Sequence, residues 1–528
     1  MRASAMSMST RRRASCSSVA KPRVRVAPGP LRVPPCRVAQ SDPPANSPVG
    51  FSEEVILLER ALMMAKDRVQ REAAESQATP AASASSTAAP TSAFTVKTFN
   101  AISPVGLTRF PPAKYAVSGE DNQLPSAPMS IMLRSHKLKE EEVPASVRCI
   151  VRCGAGTNNI PVERMTELGI PVFNTPGANA NAVKELIVCG LLLASRGILE
   201  GNNHVNNVIN VEEKMDYEKI NKRIEKDKAK FVGNEIAGKT IGVVGLGAIG
   251  GLVVNAALAL GMKIVGYDPA LSMEAAWKLP GDRMIKAKSF EELLKVSDFI
   301  TFHVPYIKNA THHMLNGEML QLCKPGVHLL NFARREIIDG EALKDMWRGG
   351  RMTGKYISDF ADPYLQGKPQ HIVLPHLGAS TAEAEDNSAA MAADTIQAFL
   401  EHGTIRHSVN FPQAELDAKK GASLRLCIVM KNCPNALGTL TSFLGEKRIN
   451  IEQQLMTSRG DVGYTVIDFN SFGAMDSSDA HRGAAEFQAE LGARVPLLIS
   501  SRIIGYGPGN HFWNKRDDNA GNVIVRGA

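Results

Sequence analysis

An arginine, two aspartates and a histidine, Arg334, Asp359, Asp362 and His376, each follow a short apolar run in the second half of the chain. Histidine titrates near neutral pH, so it can take or give a proton; a carboxylate can orient its ring, and an arginine can hold an anionic group. Near a nicotinamide, such a set suits hydride transfer at a hydroxy-acid carbon. Any one of these residues alone would be read as an ordinary surface or core group.

The elements that must position them are strands. DFITFHVP (298–305), HLLNFARREIID (328–339), KYISDF (355–360) and HIVLP (371–375) are apolar runs, and the first two are separated by the helix-like GEMLQLCKPG. They read as successive parallel strands, and ligands of such sheets sit beyond the carboxyl ends, where all four residues fall. Upstream, 241–267 splits into strand (IGVVGL), glycine-rich turn, helix (GLVVNAALALG) and strand (KIVGYD). That run is long enough to cross a membrane, but its seven glycines argue against a continuous span.

Two phosphate motifs compete here. GNEIAGKT (233–240) fits the P-loop pattern, yet a charged segment precedes it and a strand follows it, the reverse of what that motif requires. Gly245-x-Gly247-x-x-Gly250 does lie between strand and helix, and Asp268 closes the next strand. Glycine admits a pyrophosphate to the backbone, the helix N-terminus faces its charge, and Asp268 can accept hydrogen bonds from ribose hydroxyls. A carboxylate there repels a 2′-phosphate, which favours NAD over NADP.

The chain of 528 residues can fill two to four cores. Its net charge of +8 is local, since residues 1–41 hold nine Arg/Lys and no acid, leaving 52 basic against 53 acidic side chains. The body lacks a basic, aromatic-interleaved stripe for nucleic acid. The acid-free leader reads as an organelle transit peptide, plastid before mitochondrion, and 42–93 as a helix-like segment with an Ala/Ser/Pro linker. Eight cysteines without a C-x-x-C pair or metal-ligand spacing imply free thiols and no metal site.

Taken in order, NTPGANANAVKEL (174–186), VGLGAIG (244–250), HVP (303–305), LLNFAR (329–334) and PHLGAST (375–381) resemble the D-isomer-specific 2-hydroxyacid dehydrogenases. The resemblance implies an α/β architecture, with a Rossmann-type doubly wound parallel sheet (201–375) inserted into a substrate domain (94–200, with a return at 376–415). It implies oxidation of 3-phospho-D-glycerate to 3-phosphohydroxypyruvate with NAD, the first step towards serine, in a homo-oligomer, dimer or tetramer, needing neither nucleic acid nor membrane. Another D-2-hydroxy acid, such as glycerate with hydroxypyruvate, or a non-catalytic NAD sensor, is the alternative. His376 would act as acid–base, Arg334 would hold the substrate carboxylate, Arg134 the phosphate, and the loop Gly154, Ala155 and Gly156 the carboxylate from its amides. Cofactor contacts would come from Thr157, Gly245, Gly247, Ala248, Ile249, Gly250, Asp268, Val304, Phe332, Ala333, Arg334, Asp359, His376, Leu377, Gly378 and Ala379.

The chain departs from this pattern at DFADP (359–363), which lacks the glutamate that pairs with the histidine; Asp362 keeps the place before proline and is expected to take that part. Arg335 stands where a glycine usually follows the catalytic arginine. Residues 421–505 look like an ACT domain, a ferredoxin-like module that in this family senses L-serine, with Asn432 and Asn450 at its contact positions; 506–528 form a tail.

Overall fold

The computed structural model describes residues 94–119, 124–214, 216–417, 424–470, 480–495 and 497–505. The leader, the whole of the 42–93 segment and the tail lie outside the described residues. Five short strands, β1 (Phe94–Phe99), β2 (Tyr115–Ser118), β3 (Ser130–Leu133), β4 (Cys149–Arg152) and β5 (Val172–Phe173), pair in parallel in the order β2-β1-β3-β4-β5. Their residues, apolar and polar alike, are mostly buried because both faces of a parallel sheet are covered.

A second parallel sheet holds β6 (Thr240–Val244), β7 (Lys263–Tyr267), β8 (Met284–Lys286), β9 (Phe299–Phe302), β10 (His328–Asn331), β11 (Tyr356–Ser358) and β12 (His371–Val373). Their order, β12-β11-β10-β9-β6-β7-β8, is the doubly wound Rossmann order with one strand added. The strand order reverses at β6, so a crevice opens beyond its carboxyl end, where the glycine-rich turn lies.

The helix Ala382–His402 returns the chain to the first sheet, burying Ile396, Phe399 and Leu400 in one core with Val96, Val151 and Phe173. Thr381 caps its start by accepting from the Ala384 amide, and Gly403, at φ +69°, ends it in the left-handed conformation. The helix Ala180–Ser195 departs from the boundary expected at residue 200. Val183, Ile187 and Leu191 pack with Ile241, Val254 and Leu330 of the nucleotide-side sheet, so the crossing comes before this helix.

The C-terminal unit is a βαββαβ fold of ferredoxin-like topology. Strands β13 (Leu424–Lys431), β14 (Ile451–Arg459), β15 (Val462–Phe469) and β16 (Leu498–Gly505) form an antiparallel sheet ordered β14-β15-β13-β16. Its helices are Ala436–Glu446 and Ala480–Arg494; no segment was singled out from the sequence for the second. Alternation along β13 divides between two cores: Leu426, Ile428 and Met430 face the two helices, while Cys427 and Val429 pack with Phe399 and Leu400 of the returning helix. Both faces are therefore covered. Among the described residues, no helix is long and apolar enough to cross a membrane.

Candidate active site

A cleft of about 860 Å³ is lined from both parallel sheets, and Arg134, Arg152, Arg334, Arg335 and His376 all border it. Arg134 follows β3, Arg152 ends β4, Arg334 and Arg335 follow β10, and His376 follows β12. Asn331, fully buried, shapes the turn after β10: its side chain donates to the Arg334 carbonyl (2.9 Å) and accepts from the Ala333 amide (3.1 Å).

His376 is held in a backbone conformation that histidine rarely adopts, φ +53°. Such a residue costs about 1–3 kcal/mol and persists where its surroundings over-determine it. Here its amide donates to the carbonyls of Asp359 (3.0 Å) and Leu374 (2.9 Å), tying the turn to the end of β11. The strain fixes where the imidazole emerges.

The two aspartates separate. The buried Asp359 carboxylate accepts from the Gly378 amide (3.1 Å), and a Cβ on Gly378 would lie 2.9 Å from that oxygen, so a side chain there would crowd it. Burial pushes the Asp359 pKa up; the Gly378 amide and the charges of His376 and Arg334 pull against it. Asp362, expected beside His376, is not brought to it. Its carboxylate caps the short turn Pro363–Leu365 by accepting from the Tyr364 amide (2.9 Å), presses against Gly340, and faces Arg335 at 3.9 Å. The reason is local: in the shortened loop, the acid before proline becomes the cap of the next turn.

Arg152 was not singled out from the sequence, yet it sits at the cleft floor. Its guanidinium donates to the carbonyls of Arg134 (2.9 Å) and Gly156, and no ion pair to a carboxylate joins it among the described residues. Burial, then the charges of Arg334 and Arg134, push its pKa down. A Cβ built on Gly156 would lie 3.0 Å from Arg152 Nη1 and 3.4 Å from Arg334 Nη2, so the two cations converge over the loop that contains Gly154, Ala155, Gly156 and Thr157. Its signal was its place at the end of an apolar strand, immediately before CGAGT. Arg134 also borders the cleft but is paired with Glu385, Nη2 to Oε1 at 2.5 Å.

The glycine-rich turn fits a dinucleotide. Gly245 has φ +88°, and a Cβ there would lie 2.6 Å from the His303 carbonyl and 3.0 Å from Val304. A Cβ on Gly247 would meet nothing within 4 Å, and no side chain caps the helix Ala248–Ala259 that it opens, leaving the first amides, at Ala248 and Ile249, free to face a pyrophosphate. Gly250 lets that helix close on the Gly245 carbonyl. Asp268, at the end of β7, is braced by the amides of Leu246 (2.8 Å) and Ala270 (2.9 Å). Ala333 and Ala379 border the cleft and Leu377 is exposed, whereas the Phe332 ring is buried in the core beside Gly190.

In the C-terminal unit, Asn432 donates to the Gly460 carbonyl (3.0 Å) and Asn450 to Glu452 (3.0 Å). They do not meet. Asn432 follows the last residue of β13, whereas Asn450 precedes Ile451, which pairs with Phe469 opposite the first residue of β13. The seven strand steps from Leu424 to Lys431, at about 3.4 Å each, already place roughly 24 Å between the two ends, so one small ligand cannot touch both within a chain.

Comparison with known proteins agrees with this geometry. Residues 202–378 match the family described as D-isomer specific 2-hydroxyacid dehydrogenase, NAD binding domain. The chain is 28% identical over 387 residues to D-3-phosphoglycerate dehydrogenase of Escherichia coli (strain K12), covering 71% of this chain and 86% of that one. It is 34% identical over 276 residues to the Methanocaldococcus jannaschii enzyme of the same name, covering 51% of this chain and 49% of that one. Among solved structures, D-mandelate dehydrogenase of Rhodotorula graminis shares the fold, with a TM-score of 0.50, 21% identity, and coverage of 62% of this chain and 99% of that one.

Proposed function

We propose that the chain is a D-isomer-specific 2-hydroxyacid dehydrogenase and that it oxidises 3-phospho-D-glycerate to 3-phosphohydroxypyruvate with NAD. The observation that carries this reading is the cleft itself, where a histidine fixed beside a buried carboxylate shares one wall-to-wall space with four arginines. A substrate with a carboxylate and a phosphate needs that much positive charge.

Arg334 and Arg152, which form no ion pair with a carboxylate among the described residues, grip the substrate carboxylate, helped by the loop at 154–156. Arg134 takes the phosphate. His376 accepts the proton of the C2 hydroxyl, and Asp359 stabilises the imidazolium that results. The glycine-rich turn and Asp268 hold the dinucleotide; NAD, when bound, supplies the hydride acceptor for C2. In the reverse direction, His376 returns its proton to the carbonyl oxygen.

The test is turnover by the full chain with NADH or NADPH against 2-oxo acids, phosphorylated and not. Phosphohydroxypyruvate should be the best substrate. NADH should be preferred at least tenfold, or about 1.4 kcal/mol, because Asp268 repels a 2′-phosphate. Hydroxypyruvate turned over as well as its phosphate ester would make this a glycerate-type enzyme instead.

The C-terminal ferredoxin-like unit serves as an ACT domain that senses L-serine. Because Asn432 and Asn450 lie at opposite ends of one sheet, a shared serine requires two copies of the chain, which supports a homo-oligomer. Serine should inhibit turnover in the wild type and lose that effect in both Asn432→Ala and Asn450→Ala; inhibition unchanged in both variants would remove the assignment.

A further inference from the structure

An acid inside a cleft meant for a polyanionic substrate calls for a reason. Glu385 sits in the first turn of the helix Ala382–His402, borders the same cleft as His376, and holds Arg134 Nη2 at 2.5 Å; the two side chains are equally exposed, at 41% each. Arg152 and Arg334, which face the same space, have no such partner among the described residues. Arg335, also on the cleft, lies 3.8–3.9 Å from Glu336 and Asp362, so the close pairing at 2.5 Å falls on the arginine assigned to the phosphate.

We propose that Glu385 is a specificity-determining residue: an internal stand-in for the substrate phosphate, which occupies Arg134 in the empty cleft and must be displaced by a phosphate dianion. The proposal rests on the reading that the substrate carries a phosphate. Arg134 joins the first sheet to the returning helix through this contact, so it is pre-oriented at the cleft wall before any ligand arrives. A half-exposed carboxylate holds it only weakly, since such pairs are screened by water. A phosphate dianion presents more charge and three acceptor oxygens to the guanidinium fork, and it wins the exchange. A neutral hydroxyl at the same position cannot displace the carboxylate, so a non-phosphorylated analogue leaves the ion pair intact and gains nothing from Arg134. Throughout entry and release, Arg134 passes from one anion to another and is never left unpaired. The cost is competition, which raises the KM for the phosphorylated substrate.

Steady-state kinetics on the full chain with phosphohydroxypyruvate and hydroxypyruvate test this. Glu385→Gln should lower KM for phosphohydroxypyruvate by about three- to fivefold, the range that loss of an exposed competing pair allows, and change KM for hydroxypyruvate less than about twofold. Arg134→Ala should raise KM for the phosphorylated substrate alone. Adding Glu385→Gln to Arg134→Ala should recover part of that loss, because a carboxylate without its arginine repels the phosphate. Glu385→Ala, a second removal of the charge, should reproduce the Gln variant. If both Glu385 variants leave KM for phosphohydroxypyruvate unchanged, or raise it, Glu385 merely braces Arg134 and the proposal falls while the functional reading stands. If the wild type does not turn over phosphohydroxypyruvate at all, the functional reading fails and the proposal goes with it.

Discussion

His376→Ala should lower kcat by about a thousandfold or more, within the range that loss of a positioned acid–base produces, while NADH affinity stays near wild type. The two aspartates should then behave differently. Asp359→Asn should lower kcat by at least tenfold, because the buried carboxylate that acts with His376 is lost. Asp362→Asn should leave kcat within about threefold of wild type, since its carboxylate serves the turn at Tyr364 and faces Arg335. Combining His376→Ala with Asp359→Asn should add little, as a base and the acid that orients it act as one unit. Kinetics across pH for the four variants decide the matter; a large kcat loss in Asp362→Asn with a silent Asp359→Asn would return the role to Asp362.

The same carboxylate has a stability signature of defined sign. Burial raises the folded-state pKa of Asp359 above its unfolded value of about 3.9. Its contribution is therefore fully present below that unfolded value and is lost as pH rises through the folded one, so at neutral pH the ionised group costs stability. Asp359→Asn should make the protein more resistant to denaturant at pH 7 even as it loses activity. That opposition separates a functional residue from a structural one.

Much of the site was legible because strand ends and glycine-rich turns leave local signals. His376 and Arg334 each close an apolar run, and Gly245-x-Gly247-x-x-Gly250 needs only its flanking strand and helix to be placed. Which aspartate faces the histidine was not legible. It depends on a loop too short to carry the usual acid, where capping a three-residue turn competes for the Asp362 side chain. Arg152 escaped notice because an arginine at a strand end reads as solvated until the fold shows a second cation converging on the same glycine. In the C-terminal unit, LRLCIVM announces a strand buried on both sides but not what covers it; the returning helix lies some twenty residues away and packs there only in three dimensions. The helix Ala480–Arg494 was missed because AHRGAAEFQAELGAR carries two glycines and many small residues, and so shows little helical periodicity.

Asp468→Asn should destabilise the protein by about 3–5 kcal/mol, the cost of leaving one partner of a buried ion pair alone. Arg425 and Asp468 are 1% and 0% exposed and meet side by side, Nε to Oδ1 at 2.6 Å and Nη2 to Oδ2 at 2.9 Å. The pair does not serve the C-terminal sheet alone. Arg425 also donates to the His402 carbonyl (2.7 Å), Arg502 to those of Phe399 and Leu400, and the Tyr464 hydroxyl to Gly403 (2.7 Å), so the last carbonyls of the returning helix are satisfied by side chains of the C-terminal unit. The Leu400 and Gly403 bonds are buried, and leaving such a carbonyl unpaired costs about as much as a lost hydrogen bond. The first turn of the same helix carries Glu385 into the cleft. Loosening one end should therefore be felt at the other: Asp468→Asn should lower the denaturation midpoint and, because a loosened Glu385 competes less for Arg134, also lower KM for the phosphorylated substrate at temperatures where the protein is still folded. Arg425→Met combined with Asp468→Leu should regain much of the stability, because two apolar side chains leave no buried charge uncompensated. The helix end would still lack its Arg425 donor, so the KM effect should persist in the double variant. Denaturant unfolding alongside KM measurements distinguishes these outcomes; an unchanged midpoint in Asp468→Asn would mean that the C-terminal unit is not anchored through this pair, and a KM restored together with stability would mean that docking does not reach the cleft through the helix.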